Sequence, residues 1–400
     1  MTAHELFPTQ EIGSLPKFSW RTKPFRSIPL QDSDLASAKE WGKRLRVRDA
    51  PALLKLLKKR SGFTAREHLR IVDLSMLYAL GMQETAGSGK ADDRGLDVVW
   101  SGEQARTEMY ETPVSSISGF EFIGKVRAFD NKYWREASIR KRPAFRSNYH
   151  LPEFRFVKRH TRREVKVPVT DAITIMAWSD HFHYSRKWAK ASLPPSRKNF
   201  EARREFTLDL ARVIRRVIQG LVAEGAKHIQ IDIPAATQYQ TVEDAKLVAE
   251  SFNETTRGVN ASFSVHSCFP PHRGYALLFP YILEMKKCVR FSFEYANRDS
   301  YGRGTTPESR PGYADLALFK EYGYKGELGV GVVHVHTDRL PSVGTVRDRI
   351  LFAAKAADLG PEKVFVTPDC GLRTRSPEVA YAMLGLTVDG AKAARGALRR

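Results

Sequence analysis

The sequence predicts a single α/β domain over residues 1–400, an eight-stranded (β/α)8 barrel carrying an inserted basic segment at about 135–166. Three observations predict it. The second half repeats one unit, an amphipathic helix, a glycine-containing stop and a short β-rich run, and that alternation builds a parallel sheet covered by helices. Strand candidates along the whole chain number about eight or nine, which suits a sheet closed on itself. No G-x-G-x-x-G follows any of them, which removes the main sequence reason to prefer an open doubly wound sheet.

In the first half, strands are expected at "TQEIGS", "LDVVWSG", "FEFIGKV" and "VPVTDAITIMAW", with "APALLKLLKKR" and "TAREHLRIVDLSMLYALG" as helices between them. In "FTLDLARVIRRVIQGLVAEGAKHIQIDIP", Leu210, Val213, Ile214, Val217, Ile218 and Leu221 recur at helical spacing; Gly225 stops the helix and "HIQID" follows as a strand. "TVEDAKLVAESFNETTRGVNASFSVHSC" repeats the unit with Gly258 and Asn260 as the stop. "TVRDRILFAAKAADLGPEKVFVTPDC" repeats it with Gly360 and Pro361. Two more strands, "CVRFSFEYA" and "ELGVGVVHV", lie between these units.

With 400 residues, 42% of them hydrophobic, the chain can bury a large core. Three cysteines are too few for a disulfide framework and point to a reducing compartment, the cytoplasm. The start, "MTAHELFPTQEIGSLPK", lacks the basic and apolar regions of a signal peptide, and no apolar stretch reaches membrane-spanning length, so no membrane partner is expected. The net charge of +20 favours anionic partners without choosing among them. Much of it lies between Arg135 and Lys166, where Phe145, Tyr149, Phe154 and Phe156 interleave with the charges. Single-stranded nucleic acid can be bound by such a pattern. Charge runs are more commonly solvated faces, and a basic hairpin or loop on an enzyme is the expectation here.

In a barrel of this kind function gathers at the C-terminal strand ends. Read in order, those ends offer Ser14, Glu103, Trp178, Asp232, His266 with Cys268, Glu294, His336 and Cys370. Strand side chains alternate with period two, so His266 and Cys268 point the same way just before Pro270 and Pro271 stop the run. His266, Cys268, Glu294 and Cys370 together have the composition of a zinc site, since a borderline-soft ion takes nitrogen and sulfur. Magnesium and calcium would call for oxygen. Cys288 opens its strand, at the opposite end, and reads as structural.

Taken together, "QEIGSLP", "SGEQARTEM", "HIQIDIPA", "VHSC", "FSFE", "GVVHVHTDRLPSV" and "VTPDCGLRTR" resemble, in order, the catalytic C-terminal half of cobalamin-independent methionine synthase, in a short form lacking the N-terminal half. The resemblance implies transfer of a methyl group to the thiol of L-homocysteine, with Zn2+ held by His266, Cys268, Glu294 and Cys370. It implies a homocysteine pocket of Ile12, Gly13, Ser14, Glu103 and Asp232, and His336 as proton donor. For the donor, a methylfolate or a methyl-corrinoid protein, it implies Trp178, with Gln238 and Arg127 by position. This side departs from the family pattern: "DIPAATQ" puts Ile233 and Gln238 where acids are usual, "TDAIT" replaces a G-P-V-T, and His334 stands where an aspartate partners the family's histidine. Two rivals remain at this level. One is a corrinoid-dependent methyltransferase acting on another thiol such as coenzyme M, and the other is a basic nucleic-acid-binding protein with a closed structural zinc.

Overall fold

The computed structural model describes residues 6–89, 94–127, 133–270 and 274–399, without the side chains at 127 and 133. Its strands are β1 (Val98–Val99), β2 (Ile117–Arg127), β3 (Tyr133–Phe145), β4 (Glu164–Thr170), β5 (His228–Asp232), β6 (Ser262–Ser267), β7 (Cys288–Phe293), β8 (Glu327–Val333) and β9 (Val364–Pro368). Seven of them form one parallel sheet in the order β1-β4-β5-β6-β7-β8-β9. Both edges of that sheet meet the same short segment: Thr9 bridges to Val366 of β9 and Gln10 to Val98 of β1. The Gln10 amide donates to the Val366 carbonyl at 3.0 Å, and the Val98 amide donates to the Thr9 carbonyl at 3.1 Å. The sheet is therefore curled, and its edge groups are paired rather than presented to another chain.

The repeating unit of the second half is present as expected. Leu210, Val213, Ile214, Val217, Ile218 and Leu221 are all buried on the helix Pro195–Ala223. Gly225 then turns the chain at φ 92°, where a side chain would be strained. Every residue of β5 is buried, as a strand covered on both faces requires. The helix Ala65–Glu84 starts at a capping box, in which Thr64 accepts from the Glu67 amide while the Glu67 carboxylate accepts from the Thr64 amide.

Several elements differ from the sequence reading. "FEFIGKV" lies in β2, which pairs antiparallel with β3 in a separate two-stranded sheet, so its alternation marks a hairpin and not a ring strand. "VPVTDAITIMAW" divides: β4 ends at Thr170, and Asp171 caps a helix, Ala172–Ala177, by accepting from the Ile173 and Thr174 amides. An apolar run cannot be assigned to strand or helix by period alone, and the capping aspartate was the missed signal. "TQEIGS" contributes only the two bridging residues. The helix Asp32–Arg44, with a Gln31–Asp34 capping box, was not anticipated. The segment 135–166 is likewise divided among β3, the helix Leu151–His160 and the start of β4, and the hairpin opens earlier, at Ile117. Among the described residues no helix is long and apolar enough to cross a membrane.

Beneath the strand ends the sheet interior is polar. The Lys166 ammonium donates to the Ile12 carbonyl and to Gln230 Oε1, each at 2.6 Å, and lies 3.5 Å from Glu11 Oε1. Arg290 donates to Glu327 and to Gln10 Oε1. The Lys166 contacts tie the segment carrying Ile12 to β4 and β5, and so fix one wall of the site.

Burial, opposed by Lys166, raises Glu11 to about 7. Its folded value exceeds its unfolded one, so its contribution is best at low pH and is lost as pH rises towards 7. Replacing the ammonium, Lys166→Met, strands a buried carboxylate and is expected to cost about 3–5 kcal/mol near neutral pH. The deficit against the parent should widen between about pH 5 and pH 8, as measured by denaturant midpoints. An equal deficit at both values would contradict the pairing.

Candidate metal centre and active site

A cavity of about 210 Å³ opens at the C-terminal strand ends. All five residues assigned to an amino-acid pocket line it: Ile12, Gly13, Ser14, Glu103 and Asp232. So do His266, Cys268 and Cys370, and so do His336 and Trp178. Parallel register explains much of the convergence, because Asp232 of β5 sits beside His266 of β6, and His266 beside Ser292 of β7.

Ligand atoms of His266, Cys268 and Cys370 lie within 4.8 Å of one another, a group that could hold a metal ion. The imidazole is prepared for that task. His266 Nδ1 lies 3.1 Å from the Ser292 carbonyl oxygen, which can only accept, so the proton sits on Nδ1. Nε2 is then a bare lone pair, buried and without a hydrogen-bond partner. Burial, with the Lys166 ammonium behind it, lowers this imidazole to about 3 and keeps it neutral. Hydrogen bonding to Cys370, with burial, pushes the Cys268 thiol well above its ordinary value. A bound cation would reverse that direction, since a coordinating thiol is deprotonated. An orphaned imidazole nitrogen and two adjoining sulfurs fit a thiophilic ion such as zinc.

Glu294 stands outside this group of three. Its carboxylate is fully buried; Oε2 accepts from the Phe269 amide at 2.9 Å and from Asn297 Nδ2 at 3.0 Å. Oε1 has no hydrogen-bond partner and lies 3.5 Å from His336 Nε2. The two donors fix Oε2 and leave Oε1 facing the histidine. Cys288 is remote from the group, its thiol donating to the Arg290 carbonyl at the start of β7.

On the opposite wall are the carboxylates. A Cβ on Gly13 would come within 2.5 Å of Glu103 Oε1, so only glycine admits that acid here. Glu103 forms a buried ion pair with Arg106, which sequence reasoning missed although the i,i+3 spacing in "GEQAR" contains it. Burial and the Glu103 carboxylate raise Asp232 to about 7. Gln230 Nε2 donates to it at 2.7 Å. Burial works against the Arg106 charge, but Glu103 and Asp232 outweigh it and hold the guanidinium above its ordinary value. Glu103 and Phe269 both adopt left-handed backbone, φ 57° and 52°.

Of the residues assigned to the donor, Trp178 is the one that the structure brings to the cavity. It ends the short helix after β4 and stacks on Trp134 of β3, with ring centroids 4.7 Å apart and planes at 20°. Trp134 also lines the cavity, so the hairpin reaches the site, and no spacing in the sequence signalled it. Gln238 is exposed, away from the cavity lining, and the Arg127 side chain lies outside the described residues. His336 packs against Phe269 at 4.5 Å and against His334 at 5.8 Å.

Residues 78–393 match the family model described as cobalamin-independent synthase, catalytic domain. A methionine synthase of Thermoplasma volcanium is 34% identical over 305 residues, covering 73% of this chain and 82% of the relative. One from Thermococcus kodakarensis is 30% identical over 396 residues, covering 99% and 95%. In fold, the chain is similar to a B12-independent methionine synthase from Shewanella sp. W3-18-1 solved with selenomethionine, with a TM-score of 0.71, 18% identity and 99% of each chain covered.

Zinc serves as the probe for the ligand group. Cys268→Ala and Cys370→Ala should each weaken zinc binding by roughly 10–100-fold or more, whereas Cys288→Ala should leave it unchanged. Competitive chelator titration measures this. Tight, stoichiometric zinc in the Cys268→Ala/Cys370→Ala double variant would contradict the assignment.

Proposed function

We propose a reaction from the premise that this chain belongs to the cobalamin-independent methionine synthase family: it transfers a methyl group to the thiol of L-homocysteine, giving L-methionine. The observation that carries this reading is one cavity faced by a His–Cys–Cys group and by two buried carboxylates. A thiol substrate that also bears an ammonium needs both. The donor is a methylfolate or a methyl-corrinoid protein, the resident metal is Zn2+, and the reducing cytoplasm suits the free thiols. The curled sheet, with the Thr9–Gln10 segment as its eighth member, is read as a (β/α)8 barrel forming one domain over residues 1–400, with the 135–166 region as its basic excursion.

When bound, zinc supplies a Lewis acid that keeps a thiol ionised at neutral pH and its sulfur nucleophilic. His266, Cys268 and Cys370 would hold it, and the unbonded Oε1 of Glu294 is the candidate for a fourth ligand. Asp232 and Glu103 receive the substrate ammonium. An arriving cation favours the ionised form of Asp232, which burial otherwise holds half protonated near pH 7. Ile12, Gly13 and Ser14 receive the substrate carboxylate through backbone and hydroxyl donors. In the transfer, a sulfur lone pair forms the new S–CH3 bond while the donor–CH3 bond breaks, its electrons staying with the donor. A folate nitrogen leaves well only if protonated, and His336 is the general acid; reduced cobalt needs no proton.

Zinc-loaded protein with homocysteine should form methionine from methylfolate or methylcobalamin, followed by product chromatography. No methionine from either donor, or faster methylation of 2-mercaptoethanesulfonate, a thiol without an ammonium, would overturn the reading. Asp232→Asn should raise the homocysteine KM about 30-fold, about 2 kcal/mol, with a smaller change in kcat. His336→Asn should cost about 10²–10⁴-fold with methylfolate and little with methylcobalamin, while equal losses would leave His336 a positioning residue.

A further inference from the structure

Behind the turn that carries Glu103 stands a buried acid that the reaction itself does not use. Glu153 lies in the first turn of the helix Leu151–His160 but points inward, only 4% exposed. Its Oε1 accepts from the Ser101 hydroxyl, and the Ser101 oxygen in turn accepts from the Glu103 amide at 2.9 Å. His150 Nδ1 lies 3.6 Å from Oε2. Burial works against a charge on Glu153, but His150, Ser101 and Arg106 outweigh it and hold the carboxyl below its ordinary value.

An ionised carboxylate only accepts, so the Ser101 hydrogen points at Glu153 and a lone pair is left for the Glu103 amide. That bond acts on a demanding piece of backbone. Glu103 is left-handed, φ 57°, and follows Gly102 at φ 63°. A residue with a side chain keeps such a conformation only where its surroundings select it. Here both polar groups of the peptide between Gly102 and Glu103 are held: the Gly102 carbonyl accepts from the Leu15 amide at 3.0 Å, and the Glu103 amide donates to Ser101. The strand end before the turn is fixed separately by Gln83, which donates to the Trp100 carbonyl at 2.6 Å and accepts from the Trp100 amide at 3.0 Å. From this turn the Glu103 carboxylate reaches Arg106 and the space left by Gly13.

We propose that Glu153 is a positioning residue: through the Ser101 hydroxyl it fixes the turn that aims the Glu103 carboxylate at the substrate ammonium, and so sets the preference for a thiol that bears one. The role rests on the homocysteine reading for what Glu103 receives, and on the hydrogen bonds alone for how Glu103 is held.

Calorimetric titration of the whole, zinc-loaded chain with L-homocysteine and with 4-mercaptobutanoate, the same thiol and carboxylate without the ammonium, tests it. The parent should bind homocysteine more tightly. Ser101→Ala and Glu153→Met should each weaken homocysteine about tenfold while leaving 4-mercaptobutanoate within about twofold. The double variant should be no worse than either single one, because both interrupt one chain of contacts. Glu153→Gln, which keeps an acceptor for the hydroxyl, should lose no more than about threefold. Equal losses for both thiols, full discrimination in the single variants, or a double variant that loses the product of the two overturns the positioning role. If Glu153→Met fails to fold, Ser101→Ala against the parent decides, since it removes one buried oxygen and adds no bulk. A parent that binds the two thiols equally strikes the homocysteine reading and this role with it; discrimination in the parent that the variants retain strikes the role alone.

Discussion

The hydrogen bond between His266 Nδ1 and the Ser292 carbonyl is the contact on which the site depends. It exists because β6 and β7 run parallel with His266 opposite Ser292, and it decides which imidazole nitrogen is free. With the proton fixed on one side, the other nitrogen presents a lone pair to the same space as two sulfurs. Such an imidazole cannot be satisfied by the protein alone, and a soft cation is the partner its chemistry asks for.

The charges around it follow a consistent scheme. Lys166, beneath the strand ends, disfavours a second positive charge on His266 and steadies the wall that carries Ile12. Above it, Glu103 and Asp232 form an acidic wall that Arg106 offsets only in part. The cavity therefore has a sulfur-and-nitrogen side and a carboxylate side, and a small molecule bearing both a thiol and an ammonium complements it. Behind the 103–108 loop, Lys17, Arg21 and Arg373 line a second cavity together with Asp73 and Glu153.

Much of this arrangement was legible in the sequence because strand ends are marked by abrupt changes in composition. "SFSVHSCFPP" alternates and then stops at prolines, which places His266 and Cys268 on one face. "HIQID" alternates Ile229 and Ile231 with polar residues and ends in an acid. The less legible parts are those where tertiary contact decides. Arg106 earns its role only through burial against Glu103, and Trp134 reaches Trp178 only because β3 folds back over the cavity. "VPVTDAITIMAW" reads as one strand because a buried strand and a buried helix have the same apolar composition, and the boundary rests on the cap made by Asp171. Glu294 illustrates a further limit: its type and strand-end position were readable, but not that Phe269 and Asn297 would hold one of its oxygens and turn the other to His336.

We propose that the His–Cys–Cys group holds an ion whose sphere admits the substrate sulfur. X-ray absorption at the zinc edge, recorded on the loaded protein with and without L-homocysteine, tests it directly. The account predicts two sulfur neighbours at about 2.3 Å without substrate and three with it, and no added sulfur with homoserine, which lacks the thiol. A sulfur count that stays at two when homocysteine is saturating would contradict it.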